Sequence, residues 1–195
     1  AKNAITDQST PLRVVVLHNP NSFETVTRSH ASAYGETDFC IRMYQSSFFD
    51  NTLAHELSHG LAHLYDEYQE WSDMVIPEEE KQKLDSYHAK DFYLNVDYRN
   101  DPSTVPWADL MADSRFALEN IGIYDKAWYS GGLYKSSTNS IMNNSHECKW
   151  FNAQSRKAIY INLMKASEGE DWQYNYEDFV KFDEIYRNNN PAPNN

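Results

Sequence analysis

The feature that most constrains the fold is a run of leucines at helical spacing in the first third of the chain. They recur every three or four residues and so predict one amphipathic helix. This helix is expected to begin near Asp50 or Asn51, either of which could cap it. The leucines of this stripe are Leu53, Leu57, Leu61 and Leu64.

The same helix carries the motif His55-Glu56-Leu57-Ser58-His59. Four residues advance a helix by about 400°, so the two histidines stand on one face, about 6 Å apart along the axis. Two imidazoles at this spacing can bind one zinc ion, and Glu56 can reach a water on that ion. Such a glutamate takes a proton from the water and passes it to a leaving amine. The amphipathic context favours a zinc hydrolase over a chance match.

A zinc site of this kind needs a third protein ligand, and helix geometry limits the choice. His63 would stand about 12 Å along the axis from His55, too far for one ion, so we expect it to be partly buried or beside the metal. Asp66 would lie about 16 Å along a continuous helix. It can bind the metal only if the helix ends near His63 or Leu64 and the chain turns back.

Other carboxylates compete with Asp66 for this place. Glu67 is its neighbour in the sequence, and a solvated helix end would explain the Asp66-Glu67-Tyr68 cluster without a metal. A remote glutamate is the further alternative, because some zinc peptidases take their third ligand far downstream. The candidates of this kind are Glu119 and Glu147.

The charge of the chain narrows its possible partners. Asp and Glu number 29 against 17 Lys and Arg, so the net charge is −12. This balance argues against binding to nucleic-acid phosphates or an anionic membrane surface. No run of about 18 apolar residues is present to span a bilayer. With 41% hydrophobic and 14% aromatic residues, the chain can bury a core.

Local patterns predict the remaining elements. Two runs predict strands, the β-branched Arg13–His18 and the less buried Asp38–Tyr44. Spacing and capping residues, among them Pro77 and Asn152, predict four more helices. These helices cover about 78–90, 107–119, 153–164 and 176–187, and the segments 91–106 and 122–145 are predicted to be loops.

The chain is expected to form one metallopeptidase catalytic domain, 1–187, with a flexible Asn- and Pro-rich tail, 188–195. Its two cysteines, Cys40 and Cys148, lie too far apart in the sequence for a cysteine-type zinc site. They fit either one long-range disulfide or two buried thiols.

Residues 55–68 read HELSHGLAHLYDEY. This segment resembles the zinc helix of the bacterial IgA-specific metalloendopeptidases (IgA peptidases), which has the form HExxH followed by L-x-D-E-Y. The resemblance covers roughly residues 12–166 and is far more specific than the five-residue motif. The other blocks that occur in the family's order are Val14–Asn19, Asn95-Val96, Val105–Trp107, Ile121–Asp125, Gly132–Tyr134, Asn139–Met142 and Phe151–Arg156.

The IgA peptidases are metzincin-like, so the resemblance implies an α+β zincin fold. Its α/β-like upper part would combine a small mixed sheet with the active-site helix. The lower part would be mostly helical and irregular and would hold a methionine turn beneath the metal. Within Ser140–Asn144, Met142 is the expected methionine of this turn.

The chain departs from the common metzincin pattern H-E-x-x-H-x-x-G-x-x-H. Ala62 stands in place of its glycine and Tyr65 in place of its third histidine. The resemblance therefore implies that a single Zn²⁺ is bound by His55, His59 and Asp66.

The group that stabilises the oxyanion is left open. Some metzincins place a tyrosine two residues after the methionine, but here that position is Asn144. The alternatives are Tyr68, Tyr129 and Tyr134. The side chains expected beside the metal ligands are His63, Glu67 and Tyr68.

Together these features predict a zinc-dependent endopeptidase that hydrolyses peptide bonds through a metal-bound water, with Glu56 as general base and then general acid. The strand Asp38–Tyr44 is expected to be either the edge strand that pairs with an extended substrate or a plain internal strand. One alternative is a catalytically silent relative that binds protein or glycan, although the intact Glu56 argues against it. The other is a gluzincin-like peptidase with a remote glutamate ligand.

The expected partner is a protein or peptide substrate, with no nucleic acid and no membrane span, and the chain is expected to be a monomer. We expect a secreted, cell-surface or periplasmic protein whose export signal is absent from these residues. Because only two strands are predicted before the zinc helix, either the sheet is unusually small or the chain is part of a larger protein. Resemblance to IgA peptidases does not imply cleavage of IgA.

Overall fold

Three short strands form a mixed sheet in the first part of the chain. The computed structural model describes residues 13–18, 29–34, 38–44, 47–169 and 171–189. β1 (Arg13–His18) is parallel to β3 (Asp38–Tyr44), and β2 (His30–Tyr34) is antiparallel to it on the other side. β3 is therefore the central strand. The expectation that Asp38–Tyr44 is an edge strand is wrong, and its alternative, an internal strand, is confirmed.

β2 is a strand that the sequence pattern does not predict. Its residues, HASAY, are mostly small or polar and lack the β-branched side chains that favour strands. The strand forms because β3 offers a hydrogen-bonding edge, in a register that pairs Ala31 with Ile41 and Ala33 with Phe39. Long-range pairing thus overrides the local preference.

One face of β3 is buried against α1 (Phe49–Ala62). On the helix side, Leu53 and Leu57 pack against this face, as the leucine stripe predicts. Gly60 allows the close approach, because a Cβ at this position would lie 2.3 Å from the ring of Phe39. The helix begins at Phe49, so neither residue 50 nor residue 51 is its cap. The buried residues of β3 are Phe39, Ile41 and Met43.

The helices that follow α1, except the one that carries Leu84, build the main core below α1, and Leu84 is buried in a second cluster. α4 contacts both α1 and α5, and its residues Ala158, Tyr160 and Ile161 are buried in the centre of this core. The helices are α2 (Glu78–His88), α3 (Ala108–Ala112), a 3-10 helix (Ser114–Glu119), α4 (Ala153–Glu168) and α5 (Tyr176–Asn189).

Most helix predictions are confirmed, although their ends shift by up to four residues and one predicted helix is divided. Asn152 caps α4 as predicted, since its side chain accepts a hydrogen bond from the N–H of Ser155. The single helix predicted over 107–119 is instead divided at Asp113, whose side chain accepts from the N–H of Arg115 and starts the 3-10 helix. α5 continues to Asn189, so the first two residues of the predicted tail are helical, and 190–195 lie outside the described residues.

Long loops connect these helices, as predicted, and two of them pair. β4 (Val96–Asp97) and β5 (Tyr134–Lys135) form a short antiparallel ladder that the sequence does not predict. The architecture is α+β, a small mixed sheet with helices. Cys40 and Cys148 are free thiols, so the disulfide alternative is wrong; of the two expected buried thiols, Cys148 is buried and Cys40 is only partly buried. Among the described helices, none has the length and apolar character that a bilayer crossing requires.

Candidate metal centre

α1 presents two histidines on the face that points away from the sheet. His55 and His59 lie one helical turn apart, and their Nε2 atoms are 3.1 Å apart. The two rings meet edge to face, with centroids separated by 4.8 Å. His55 is buried and His59 partly buried, so both side chains are held by their surroundings. The helical period alone brings these two nitrogens together.

The end of α1 brings the third group to the histidines. The helix ends at Ala62, and His63 adopts a left-handed conformation with φ of 48°. A residue in this conformation terminates a helix and reverses the chain. Asp66 consequently returns to the histidine face, where its Oδ1 lies 3.0 Å from Nε2 of His55 and 3.2 Å from Nε2 of His59.

In each histidine ring, the nitrogen that faces away from Asp66, Nδ1, forms a hydrogen bond. This bond determines that the other nitrogen, Nε2, faces Asp66 with a lone pair. Nδ1 of His55 lies 3.0 Å from the carbonyl oxygen of Ile141, and Nδ1 of His59 lies 2.8 Å from that of Leu64. A carbonyl only accepts, so each neutral ring carries its proton on Nδ1 and has a lone pair on Nε2. Asp66 Oδ1 is buried and accepts no well-aligned hydrogen bond from the described residues.

Three lone pairs, two from nitrogen and one from oxygen, thus converge on one point. Ligand atoms around a tetrahedral ion with bonds of about 2.0–2.1 Å lie about 3.3 Å apart, close to the distances between these atoms. Within the described part of the chain, His55, His59 and Asp66 are the one group of three or more such residues that could hold a metal ion. These residues therefore fit a metal ion of zinc size.

The charges of His55, His59 and Asp66 shift the pKa values of their neighbours within this group. Burial alone would raise the pKa of Asp66, but the hydrogen bonds and charges that His55 and His59 provide when they are protonated on Nε2 hold this pKa well below its ordinary value. Burial lowers the pKa of His59, yet Asp66 and the Leu64 carbonyl outweigh burial and raise it. A carboxylate with this effect stabilises either protons or a metal ion on the imidazoles, and the two compete.

Glu56 lies beside the ligands on α1 and is only 6% exposed. Burial raises its pKa above the ordinary value, and the nearby His55 and His59 offset part of this increase. A hydrogen bond from the backbone of Ala31 in β2 also lowers the pKa, so the carboxylate lies against the edge strand of the sheet. A carboxylate in this position can take a proton from a water beside the three ligands.

The turn that contains Met142 lies against both ligand-bearing segments. Met142 is fully buried, and the N–H groups of Asn143 and Asn144 donate to the carbonyl of Ser140. The preceding residue, Ile141, contacts His55, and the Met142 carbonyl accepts the N–H of Glu67 at 2.9 Å. This buried turn therefore supports the first histidine and the segment that carries Asp66.

His63 and Glu67, which the sequence predicts to lie beside the metal ligands, have their contacts elsewhere. The ring of His63 stacks on Phe92 with centroids 3.6 Å apart, and its carbonyl accepts the N–H of Tyr93. Glu67 is fully buried, and its carboxylate accepts hydrogen bonds from Ser140 and other polar side chains of the core. Both residues thus contribute to the turn after α1 and lie outside the ligand group.

The remote glutamates are also committed to other partners. Glu119 forms a two-pronged ion pair with Arg156, with distances of 2.6 and 3.1 Å. Glu147 is exposed and accepts a hydrogen bond from Asn144. Neither belongs to the group of three ligands.

Two cavities meet at the ligands. The larger has a volume of about 1010 Å³, and the smaller one of about 280 Å³. Ala31 of β2 and Trp128 line both, so the edge strand forms one side of a continuous cleft and Trp128 contributes to the other. His59 and Asp66 lie where the two cavities join, and His55 lines the larger one, so all three side chains border the cleft.

Of the three tyrosines considered for the oxyanion, Tyr68 lines the larger cavity. Its ring lies nearly parallel to that of His55, with centroids 6.3 Å apart, and contacts Trp128. Tyr129 is buried in a separate core cluster, and Tyr134 lies on β5. Tyr68 is therefore the tyrosine of the three that can face a substrate in this cleft.

Some residues that line the cleft are not predicted from the sequence. Phe48 and His146 stack with centroids 4.9 Å apart and line the larger cavity together, although they lie in distant segments. Ala31 belongs to the unpredicted strand β2, and Trp128 lies in a predicted loop. They contribute through tertiary position, which neither spacing nor residue type reveals.

No protein-family model matches the chain, and no curated protein matches it. The chemistry of this site is therefore inferred from the residues and their geometry.

Proposed function

We propose that the chain is a zinc-dependent endopeptidase. The observation that carries this proposal is the convergence of three lone pairs, from His55, His59 and Asp66, with the carboxylate of Glu56 beside them in an open cleft. A site with three protein ligands leaves a coordination position for water or substrate, as catalytic zinc sites do.

The donor set supports zinc over Ca²⁺ and Mg²⁺. Ca²⁺ and Mg²⁺ favour sites built from oxygen, whereas two imidazoles and one carboxylate suit zinc. When bound, the ion would lower the pKa of a water and polarise the carbonyl of the scissile bond. The second nitrogen of each histidine already donates to a backbone carbonyl, which orients the rings as in known zinc sites.

Glu56 would perform both proton transfers. Its carboxylate takes a proton from the attacking water and later delivers it to the nitrogen of the leaving amine. Its burial suits this task, because a raised pKa makes the carboxylate a better base and its conjugate acid stays protonated until transfer. The hydrogen bond from Ala31 holds it on the side of the cleft where β2 lies.

The cleft supports an extended peptide as the substrate. β2 is an outer strand of the described sheet, and its residues from His30 to Ala33 run from the larger cavity to the smaller. An outer strand can bind an extended chain through backbone hydrogen bonds, while pockets beside it select side chains. The peptide bond beside Asp66 and Glu56 would then be the one cleaved.

The family resemblance is part of the same proposal. A mixed sheet with an antiparallel outer strand, a histidine-bearing helix and a buried methionine turn are what a metzincin-like IgA peptidase fold would contain. The chemistry of the site does not name the substrate protein, since the ligands set the reaction and the cleft walls set the sequence cleaved.

The test is hydrolysis of a denatured protein mixture by the zinc-loaded chain. Replacement Glu56→Gln is expected to lower kcat/KM by about 10²-fold or more, because it removes the proton acceptor while leaving all three ligands. Zinc content, measured in parallel, should be unchanged. A chelator should abolish hydrolysis, and added zinc should restore it.

A matched control is Glu79→Gln on the exposed face of α2, which removes a carboxylate of equal charge outside the cleft. It should hydrolyse as the wild type does. If wild type, Glu56→Gln and chelated protein behave alike, the chain is not a zinc peptidase, and a binding module that retains the fold becomes the better explanation.

A further inference from the structure

Glu67 follows Asp66 directly, and its side chain is fully buried. It lies outside the ligand group, and the proton transfers described above do not use it. Burying a carboxyl group in a protein core is unfavourable unless several hydrogen bonds satisfy it. Because Glu67 is next to a proposed ligand, hydrogen bonds that satisfy its carboxyl group also affect the position of Asp66.

The partners of this carboxyl group come from three separate parts of the chain. Oε1 accepts from Asn95 Nδ2 at 3.0 Å and from Ser155 Oγ at 3.2 Å, and Oε2 accepts from Ser140 Oγ at 2.5 Å. Asn152 Nδ2 lies 3.0 Å from both oxygens. One side chain thus joins the loop before β4, the methionine turn and the first turn of α4.

The backbone on either side of Asp66 is tied down as well. Asn95 forms two hydrogen bonds with Tyr65, one to its N–H and one to its carbonyl, both at 2.8 Å. The N–H of Glu67 donates to Met142, and Lys135 Nζ donates to the Glu67 carbonyl. These contacts hold both neighbours of Asp66, whose own Oδ1 accepts no well-aligned hydrogen bond from described residues.

We propose that Glu67 is a positioning residue that holds Asp66 at ligand distance from the two histidines. The inference rests on the proposed function, in which these three side chains bind zinc. The buried carboxyl group links the segment after α1 to the turn that contains Met142 and to the cap of α4. Asp66 is thereby placed by its neighbour, and the ligand group is coupled to the lower half of the molecule.

The contact with Asn152 allows a sharp test. In Glu67→Gln the new NH₂ group faces the NH₂ of Asn152 whichever way the amide turns, because Asn152 touches both oxygens. In Asn152→Asp two carboxyl groups meet. The double variant restores one donor facing one acceptor, and the aspartate can still cap α4. Each single variant should therefore bind zinc more weakly, and the double variant should recover zinc binding.

The experiment measures the zinc Kd of the full chain by competition with a chromophoric chelator, together with its circular dichroism and Tm without metal. Glu67→Gln and Asn152→Asp are each expected to weaken zinc binding about 10- to 100-fold, the usual effect of losing a group that supports a metal ligand. The double variant should return to within about threefold of the wild type.

A matched control separates positioning from general stability. Glu119→Gln removes a partly buried carboxylate that pairs with Arg156 on α4 and has none of the contacts described for residues 65–67. It should lower Tm and leave the zinc Kd unchanged. Ser140→Ala removes one hydrogen bond to Glu67 and a longer one from the N–H of Asn143, which still donates to the Ser140 carbonyl. It should weaken zinc binding about threefold to tenfold and decides the matter if Glu67→Gln fails to fold.

The outcomes are distinguishable. If the wild type binds zinc and neither Glu67→Gln nor Ser140→Ala changes the Kd, Glu67 does not position Asp66, and the proposed function stands. A double variant no better than the single ones overturns the coupling through Asn152. If the folded wild type binds no zinc, the proposed function and this inference both fail.

Discussion

The carbonyl oxygen of Ile141 lies 3.0 Å from Nδ1 of His55, a residue 86 positions earlier in the chain. This contact orients the first imidazole from outside its own helix and leaves its Nε2 facing the other two ligand atoms. Since Ile141 precedes Met142 in a buried turn, the geometry of the ligand group depends on the methionine turn as well as on α1.

Replacement of the third ligand should weaken metal binding directly. Asp66→Ala removes one of three ligand atoms and the only carboxylate among them, so we expect zinc affinity to fall by at least about 100-fold. Metal content after dialysis and chelator competition both measure this. The exposed Asp73→Ala serves as the control and should retain full zinc content. Equal zinc content in Asp66→Ala and wild type would show that Asp66 is not a ligand.

The contact between α1 and the sheet requires a glycine. Gly60→Ala would bring a Cβ to 2.3 Å from the Phe39 ring, so α1 must move away from β3. We expect a loss of about 1–3 kcal/mol in the free energy of unfolding, despite the higher helix propensity of alanine.

Urea unfolding measures this loss. Gly131→Ala is the matched control, because its Cβ would meet its nearest neighbour, Asp125, at an ordinary 3.5 Å, and it should change stability by less than about 0.5 kcal/mol. Indistinguishable midpoints for Gly60→Ala and wild type would mean that the Phe39 ring moves aside without cost.

Acid should remove a specific part of the stability. Hydrogen bonds from Arg115 hold the pKa of Asp113 well below its ordinary value, and Tyr176 of α5 donates to the same carboxylate at 2.8 Å. A group whose pKa is lower in the folded state stabilises the protein above its unfolded pKa. That contribution is lost as the pH falls through the folded value.

Asp113→Asn is therefore expected to lower the free energy of unfolding at pH 7, and the difference from the wild type should shrink as the pH falls below about 4. Urea titrations at pH 7, 5 and 3 measure it. The exposed Asp73→Asn should show no such trend. A difference that stays constant over this range would contradict the assignment to the carboxylate.

The two cysteines should behave as free thiols of unequal reactivity. Burial raises the pKa of Cys148 to about 11, so at pH 8 only about one thiol in a thousand is the reactive thiolate. In a Cys40→Ser variant, iodoacetamide should label Cys148 slowly in the folded protein and rapidly in urea. Mass spectrometry of unreduced, denatured wild type should find two labelled thiols, and an unlabelled disulfide would contradict the structure.

The smaller cavity predicts a preference in the substrate. It adjoins Asp66, and in the proposed peptidase it should accept an uncharged apolar side chain near the cleaved bond. Ala33→Leu narrows this cavity. For a peptide that places phenylalanine in the cavity, the variant is expected to reduce kcat/KM about tenfold relative to the same peptide with alanine in that place. If the wild type and the variant cleave both peptides equally, this cavity does not contribute to substrate specificity. Its apolar and aromatic walls are Phe39, Leu64, Tyr65, Tyr93 and Trp128.

Local patterns in the sequence predict much of the secondary structure. β1 and β3 have the predicted bounds, and the cap of α4 at Asn152 is confirmed. These features depend on neighbouring residues, whose preferences act without the rest of the chain. β2 is missed because its residues are mostly small or polar, and β4 and β5 are missed because they have only two residues each. Such strands form only where a partner strand offers hydrogen bonds.

The helical period alone determined that His55 and His59 share a face, with Glu56 beside them, because this relationship is local. Tertiary structure decided how Asp66 reaches that face. Its return depends on the left-handed residue His63 and on hydrogen bonds to Asn95, Met142 and Ser140, which are remote in the sequence. Such contacts form only when the chain is packed, so the completed group of three proposed ligands is a property of the fold, and the pairing of the two histidines is a property of one helix.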